Sequence, residues 1–402
     1  MSERINKNLS RLLIIHPEGN LANNPSLKAF VDFLGERGVQ FDVRVRRRKS
    51  VKYPEISNVK WGLDGYLFDK LKLLVINVFC SRILTNLVIF SQWIFRKKKK
   101  YDLIIGVDRQ GIIEAYFLSR LFLVPYCLFS FEIMFEAETS KTYKKLERYA
   151  SKNCSLWVVQ DEVRASKLAE QNGLRIENSF FLPIGARGIG KRPKIRLRDC
   201  LGVPKEKRVA IALGSISRWT MIGDIIATLS DWPNDWALIV HDRYGVTRDS
   251  LKKLGIDWNH FLGKNLFISE QASDVVDNMG QVLAGIDLGI AFYQSIDGDP
   301  NLGNNLRFLG KSSGKIATYL RYSIPVVTNE IGEMASDIQK YKLGVVVEKP
   351  NMLPYILKGF DYNRFSNNCT SYFINNLDFN IYGQKLYEKL IEFSQDTVTT
   401  EA

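Results

Sequence analysis

The sequence predicts an α/β protein built from two facing, doubly wound domains with a cleft between them. Three observations carry that expectation. Short β-branched runs alternate with amphipathic segments along the chain, the signature of parallel α/β units. The alternation stops once, in a stretch of glycine, proline and charge, and then resumes. The chain, at 402 residues, exceeds one typical core and fits two domains.

In the first half, β-branched runs at 12–16, 39–45, 102–107, 125–130 and 155–160 read as strands. Helical spacing appears at 26–37, 66–95, 112–123, 139–152 and 162–171. Residues 183–207, PIGARGIGKRPKIRLRDCLGVPKEK, have no periodicity and read as an interdomain linker. The second series has strands at 208–213, 237–241, 266–269, 288–293, 325–328 and 344–348. Its helices fall at 223–229, 275–284 and 315–322, and 381–393 reads as a terminal helix packing back across the domain junction. The expected division is therefore a domain over 1–185, a linker over 186–207, a domain over 208–378, and a returning helix and tail over 379–402. In such sheets ligands bind beyond the strand C-termini, so the cleft is the expected site.

Apolar residues at 46% and charged residues at 25% are the fractions of a soluble globular protein. The net charge of +13 concentrates at 44–52 (RVRRRKSVK) and 96–100 (RKKKK). Nucleic acid, anionic lipid and phosphorylated substrates all attract such a surface. The clusters lack the interleaved aromatics of a single-strand groove, so no nucleic-acid partner is expected. Five scattered cysteines, an odd number, give neither a zinc site nor a disulfide framework, and most read as core residues of a reducing compartment. The N-terminus has no long apolar segment, which reads as a cytoplasmic start. With three histidines and no acidic pair at a metal-binding spacing, no metal is expected.

Residues 66–95 form the most apolar stretch. Lys72, Asn77, Arg82 and Asn86 interrupt it, and no charge-free run approaches the ~20 residues of a membrane span. Asp69, Lys70, Asn77, Ser81, Thr85 and Gln92 share one narrow helical face, so a helix buried in its domain is the preferred reading. The alternative is a helix half-buried in a bilayer interface, with each neighbouring Lys or Arg adding about 1 kcal/mol on an anionic membrane. In that case the protein sits peripherally at the inner face of the cell membrane.

The run 312–327, SSGKIATYLRYSIPVV, joins a Ser/Gly loop to a helix and a buried strand that opens with proline. Free N–H groups, two hydroxyls and an ammonium at one helix start suit a phosphate. An ordinary α/β turn with a capping serine accounts for this run taken alone.

Four places taken together resemble the GT-B glycosyltransferases, specifically the bacterial family 4-like enzymes of cell-surface polysaccharide synthesis. They are HPEGN (16–20); FEIMFE (131–136), followed by WVVQDEVRASKLAEQNG (157–173); ALGSISRW (212–219); and AFYQSIDGDPN (291–301), leading into SSGKIATYLRYSIPVVTNEIG (312–332). The resemblance spans nearly the whole chain in the right order. It implies a glycosyltransferase that takes a UDP- or GDP-sugar in the C-terminal domain and a growing glycan, free or lipid-linked, in the N-terminal one, without a metal.

On this resemblance Lys315 and Arg218 are the donor-side cations, and Gly214, Ser215, Ser313 and Gly314 offer hydroxyl or backbone contacts. Arg218 reads equally as a solvated loop residue. Gly332 would let backbone approach the donor, or is a simple turn glycine. Retaining members carry two glutamates separated by seven residues; here Thr318 stands at the second position and Ser323 where a glycine is usual. Asp297 or Asp299 stands in for the first, so the pair is broken and the stereochemical outcome stays open. Glu132 and Asp108 are the catalytic candidates. Glu132 would activate an acceptor hydroxyl or orient substrate, with a capping or salt-bridging role as the alternative. Gly19, Asn20 and Arg109 are the acceptor-side candidates. Two other functions fit the same fold: a nucleotide-sugar 2-epimerase, and a catalytically degenerate binding subunit, which the broken pair favours.

Overall fold

Two wholly parallel sheets organise the chain. The computed structural model describes residues 8–17, 19, 21–46, 53–63, 70–72, 74–93, 100–272 and 279–399. By contacts the chain divides into one unit of Met1–Leu182 with Gly298–Asn301 and Asn380–Ala402, and another of Pro183–Asp297 with Leu302–Phe379.

The first unit holds β1 (Arg11–Ile15), β2 (Gln40–Val45), β3 (Val59–Leu63), β4 (Leu103–Val107), β5 (Tyr126–Phe129), β6 (Trp157–Val159) and β7 (Ser179–Phe181). They pair in the order β3-β2-β1-β4-β5-β6-β7. The second holds β8 (Arg208–Leu213), β9 (Trp236–His241), β10 (Leu266–Ser269), β11 (Leu288–Ala291), β12 (Val326–Thr328) and β13 (Gly344–Val346), in the order β10-β9-β8-β11-β12-β13. Parallel strands are covered on both faces, which is why β1 and β4 read as unbroken apolar runs and are buried. In each sheet the direction of winding reverses once, between β1 and β4 and between β8 and β11. Those reversals open a crevice at the strand C-termini.

The second reversal has a visible fastener. The β8–β11 register runs to Ala212 opposite Ile290. Just beyond it, the Tyr319 hydroxyl accepts from the Leu213 N–H at 3.0 Å and faces the carbonyls of Ile211 and Ile290 at 3.1 and 3.2 Å. Backbone groups that lose their ladder partner are thus satisfied by one buried side chain. Gly289 makes room for it, since a Cβ there would lie 2.5 Å from the Tyr319 ring. The helix that carries Tyr319, Gly314–Arg321, is thereby pinned over the crevice.

Most sequence-derived elements recur within a few residues; the exceptions have physical causes. Strands β3 and β7 are sheet edges, partly exposed and without a continuous apolar run, so no pattern marked them. The expected linker is packed into the second unit. Ile184 and Gly190 N–H groups donate to the carbonyls of Lys311 and Arg321, and the Arg321 guanidinium donates to the carbonyls of Arg187 and Gly188. It lacks periodicity because backbone groups, rather than an apolar stripe, hold it. The terminal helix is longer than expected, Phe379–Thr399, and Arg37 donates to Gln384 on it.

The apolar stretch 66–95 is not one buried helix. A π-helical turn, Val75–Phe79, ends at Cys80 with φ 46°, and a separate helix follows over Arg82–Trp93. Thr85, counted on the polar face, is buried, whereas Ile83 and Leu87 are 75% and 58% exposed. The first basic cluster also begins in the core: Arg44 is buried on β2, packed where Gly62 lacks a side chain. Residues 47–52 and 96–99 of the two basic clusters, Asn20, and residues 275–278 of the expected helix 275–284 lie outside the described residues; the remainder of that helix appears as Gly280–Leu283. Among the described residues no helix is long and apolar enough to cross a membrane.

Replacing Tyr319 by phenylalanine leaves the Leu213 N–H without its acceptor, a loss of about 1–3 kcal/mol. The expected reading is a lower urea midpoint for the second unit; an unchanged midpoint would remove Tyr319 as the fastener.

Candidate functional site

The loops beyond β8, β9 and β11 build a cationic site around Lys315, the second residue of the helix Gly314–Arg321. Ser313 caps that helix: its Oγ accepts from the Ile316 N–H at 3.2 Å and lies 2.6 Å from the Tyr293 hydroxyl. Tyr293 is fixed in turn by Asn329, which accepts from its N–H at 2.9 Å and donates to its carbonyl at 2.7 Å. Its ring stacks on Trp219, with centroids 5.9 Å apart and planes at 25°. The Lys315 ammonium sits 4.9 Å from the Trp219 ring and 5.3 Å from the Tyr293 ring, within cation–π range of both. Gly214 completes the cradle at φ 97°, where a Cβ would lie 3.0 Å from Lys315 Cε. Here the backbone conformation calls for glycine, and a Cβ would crowd the lysine side chain.

Burial, and then the charge of Arg243 beyond β9, lower the Lys315 pKa to about 7. Among the described residues no carboxylate acts on Lys315 to offset either effect. Lys315 at a helix N-terminus, with the charge of Arg243 acting on it, makes a site that favours negative charge. An unfolded lysine titrates near 10.5. Between pH about 7 and 10.5 the unfolded chain therefore binds the extra proton, and the contribution of this group to stability rises with pH.

The other expected donor-side residues play varied parts. Ser313 is buried and its hydroxyl is committed to the cap and to Tyr293. Gly314 is half-buried and opens the helix. Ser215 and Arg218 are exposed beside Trp219. Gly332 has φ 81° and ψ −141°, a conformation essentially reserved for glycine, with open space where a side chain would stand. Its N–H donates to Glu330 at 2.8 Å. Asp297 is exposed and paired with Arg307 at 2.5 Å.

In the first unit a rigid turn presents Glu132. Asp108, at φ 56° after β4, is 4% exposed, and its Oδ1 accepts from the N–H groups of Phe131 and Glu132 at 2.6 and 2.9 Å. The buried Arg164 donates to the Phe131 carbonyl and to Gln160, both at 2.8 Å. Gln160 donates to the Ser130 carbonyl at 2.7 Å. Burial lowers the Arg164 pKa against the opposing charges of Glu132, Asp161 and Asp108. The Glu132 side chain itself is exposed beyond the end of β5. Asp108 thus positions the turn that carries Glu132. Arg109 follows it on the helix Asp108–Phe122, half-buried. Gly19 is required by the His16 ring, which a Cβ would approach to 2.3 Å, so its smallness serves packing.

Sequence reasoning missed Arg243, Trp219 and Tyr293 as site residues. Each lies within a few residues of a strand C-terminus on the switch-point side, and that positional rule could have found them. Among the described residues no group of three or more His, Cys, Asp or Glu converges.

No family model matches the chain, and no curated protein matches it. Solved structures do. HepE of Anabaena, in complex with UDP and glucose, superposes with a TM-score of 0.68 at 15% identity, covering 95% of this chain and 99% of that one. A glycosyltransferase of Rickettsia africae gives 0.64 at 12% identity, with 97% and 100% covered. WaaG, a glycosyltransferase involved in lipopolysaccharide biosynthesis, gives 0.56 at 14% identity, with 94% and 99% covered.

The fold is GT-B. At such low identities the likeness establishes the fold, and the GT-B sheet reversal of the second unit coincides with the Lys315 site.

The Lys315 environment predicts a titration of its ε-carbon resonance near pH 7, moving upward in Arg243→Gln. An ordinary lysine titration above pH 10 would contradict the electrostatic description.

Proposed function

We propose that this chain is a glycosyltransferase that moves a sugar from a UDP- or GDP-sugar onto a growing glycan of surface polysaccharide, carried on a lipid at the cytoplasmic membrane face. One observation carries the reading: the cationic site of Lys315 and Arg243 beside the sheet reversal, at a helix start. Sugar transfer releases a nucleoside diphosphate, and positive charge placed where that negative charge develops lowers the barrier. The structures of HepE with UDP and with UDP-glucose support a uridine donor. The named neighbours are glycosyltransferases and synthases, which favours neither the epimerase nor the binding-subunit reading.

In this proposal Lys315 and Arg243 neutralise the diphosphate, and the reaction proceeds without a metal. Gly214 and Gly332 allow backbone to approach the donor, Gly314 offers an N–H, and Arg218 and Ser215 reach it from the exposed rim. Glu132 acts on the acceptor hydroxyl as base or orienting group. Gly19 and Arg109 belong to the acceptor side.

A donor screen tests the assignment. Purified protein incubated with UDP-, GDP- and dTDP-sugars should release nucleotide from one of them, with EDTA leaving the rate unchanged. Interconversion of the sugar without nucleotide release would replace the proposal with an isomerase. Lys315→Met should weaken UDP binding about tenfold to hundredfold, the scale of a lost charged hydrogen bond, without lowering the melting temperature. Glu132→Gln should lower turnover more than donor affinity; full activity would remove it from the mechanism.

A further inference from the structure

The helix Arg82–Trp93 has two apolar faces. Thr85 and Ile89, four residues apart, are buried on its inner face. Ile83, Leu87 and Phe90, at the spacing of one helical face, are exposed on the opposite side. The preceding turn adds exposed Val78 and Phe79. A surface helix ordinarily turns polar residues outward, so a second apolar face calls for a second apolar medium. The segment is anchored from within. Lys72 pairs with Glu114 in a buried ion pair at 3.0 Å, and Val75 and Ile76 are buried.

The charge beside this face has one sign. Ile83 and Phe90 line a groove of about 390 Å³ together with Arg82, Arg120, Leu121 and Tyr149. The two arginines are exposed, and the Arg82 guanidinium stacks on the Tyr149 ring at 4.3 Å. The helix Arg82–Trp93 contains no acidic residue, and both carboxylates of the helix Asp108–Phe122, Asp108 and Glu114, are buried. A two-fold contact between copies would set this cationic rim against itself. An anionic bilayer instead accepts both parts, taking the apolar side chains among the acyl chains and the arginines among the phosphates.

We propose that the outer face of the helix Arg82–Trp93 docks the first unit on an anionic lipid bilayer, with Ile83, Leu87 and Phe90 inserted and Arg82 and Arg120 on lipid phosphates. This inference stands on the apolar face and its arginines alone and does not depend on the donor site.

Co-sedimentation of the full chain with phosphatidylcholine vesicles, with and without phosphatidylglycerol, tests it. The expected result is binding to the anionic vesicles, weakened about tenfold or more in Ile83→Asp/Leu87→Asp and in Arg82→Gln/Arg120→Gln. Both variants alter exposed side chains and should keep the wild-type melting temperature and UDP affinity. Failure of the wild-type chain to bind anionic vesicles would overturn the proposal. So would equal binding by the Ile83→Asp/Leu87→Asp variant. A concentration-dependent dimer in sedimentation velocity, abolished by that variant while vesicles are ignored, would assign the face to a second copy.

Discussion

A lysine amine held at a helix start against two aromatic faces, in the field of Arg243, is the constraint around which the crevice of the second unit is arranged. Burial opposes the charged form of Lys315, and the charge of Arg243 adds to that opposition. The surrounding residues hold the arrangement together. Ser313 caps the helix, Asn329 clamps Tyr293, Tyr293 stacks on Trp219, and Tyr319 fastens the helix to the diverging ends of β8 and β11. Such an arrangement favours a bound anion, because an anion removes the repulsion that the free site retains.

The first unit solves a different problem by related means. It holds a three-residue turn beyond β5 by saturating the backbone of that turn with buried polar side chains. Asp108 takes two N–H groups, while Arg164 and Gln160 take carbonyls. Burying an arginine is costly unless its donors find acceptors, and here they meet the Phe131 carbonyl and the Gln160 amide. The outcome is an exposed carboxylate, Glu132, on a rigid support, the kind of placement that binding and catalytic groups need.

Much of this was legible in the sequence. The alternating pattern located the buried strands because parallel strands must be apolar on both faces, and the Ser-Ser-Gly-Lys run located the helix start that carries Lys315. The sequence could not convey which partners each polar residue takes. Asp108 read as a catalytic candidate and Ser313 as a donor contact; the structure adds that Asp108 accepts backbone N–H groups and that the Ser313 hydroxyl meets Tyr293. Gly19 read as a place of ligand approach, and its packing against the His16 ring could not be foreseen. Arg243 went unnoticed because its importance arises from a neighbour 72 positions away in the chain, Lys315, which no local pattern reveals. The helix Arg82–Trp93 was misjudged for the opposite reason. Its composition reads as buried, but only one of its apolar faces meets the protein.

Calorimetric titration of UDP at pH 8, in buffers of different ionisation enthalpy, measures the central claim directly. If the Lys315 site takes the diphosphate, binding restores the ammonium and draws about one proton from the buffer, an uptake absent in Lys315→Met. Binding of UDP with no proton uptake, or with the same uptake in that variant, would contradict the account.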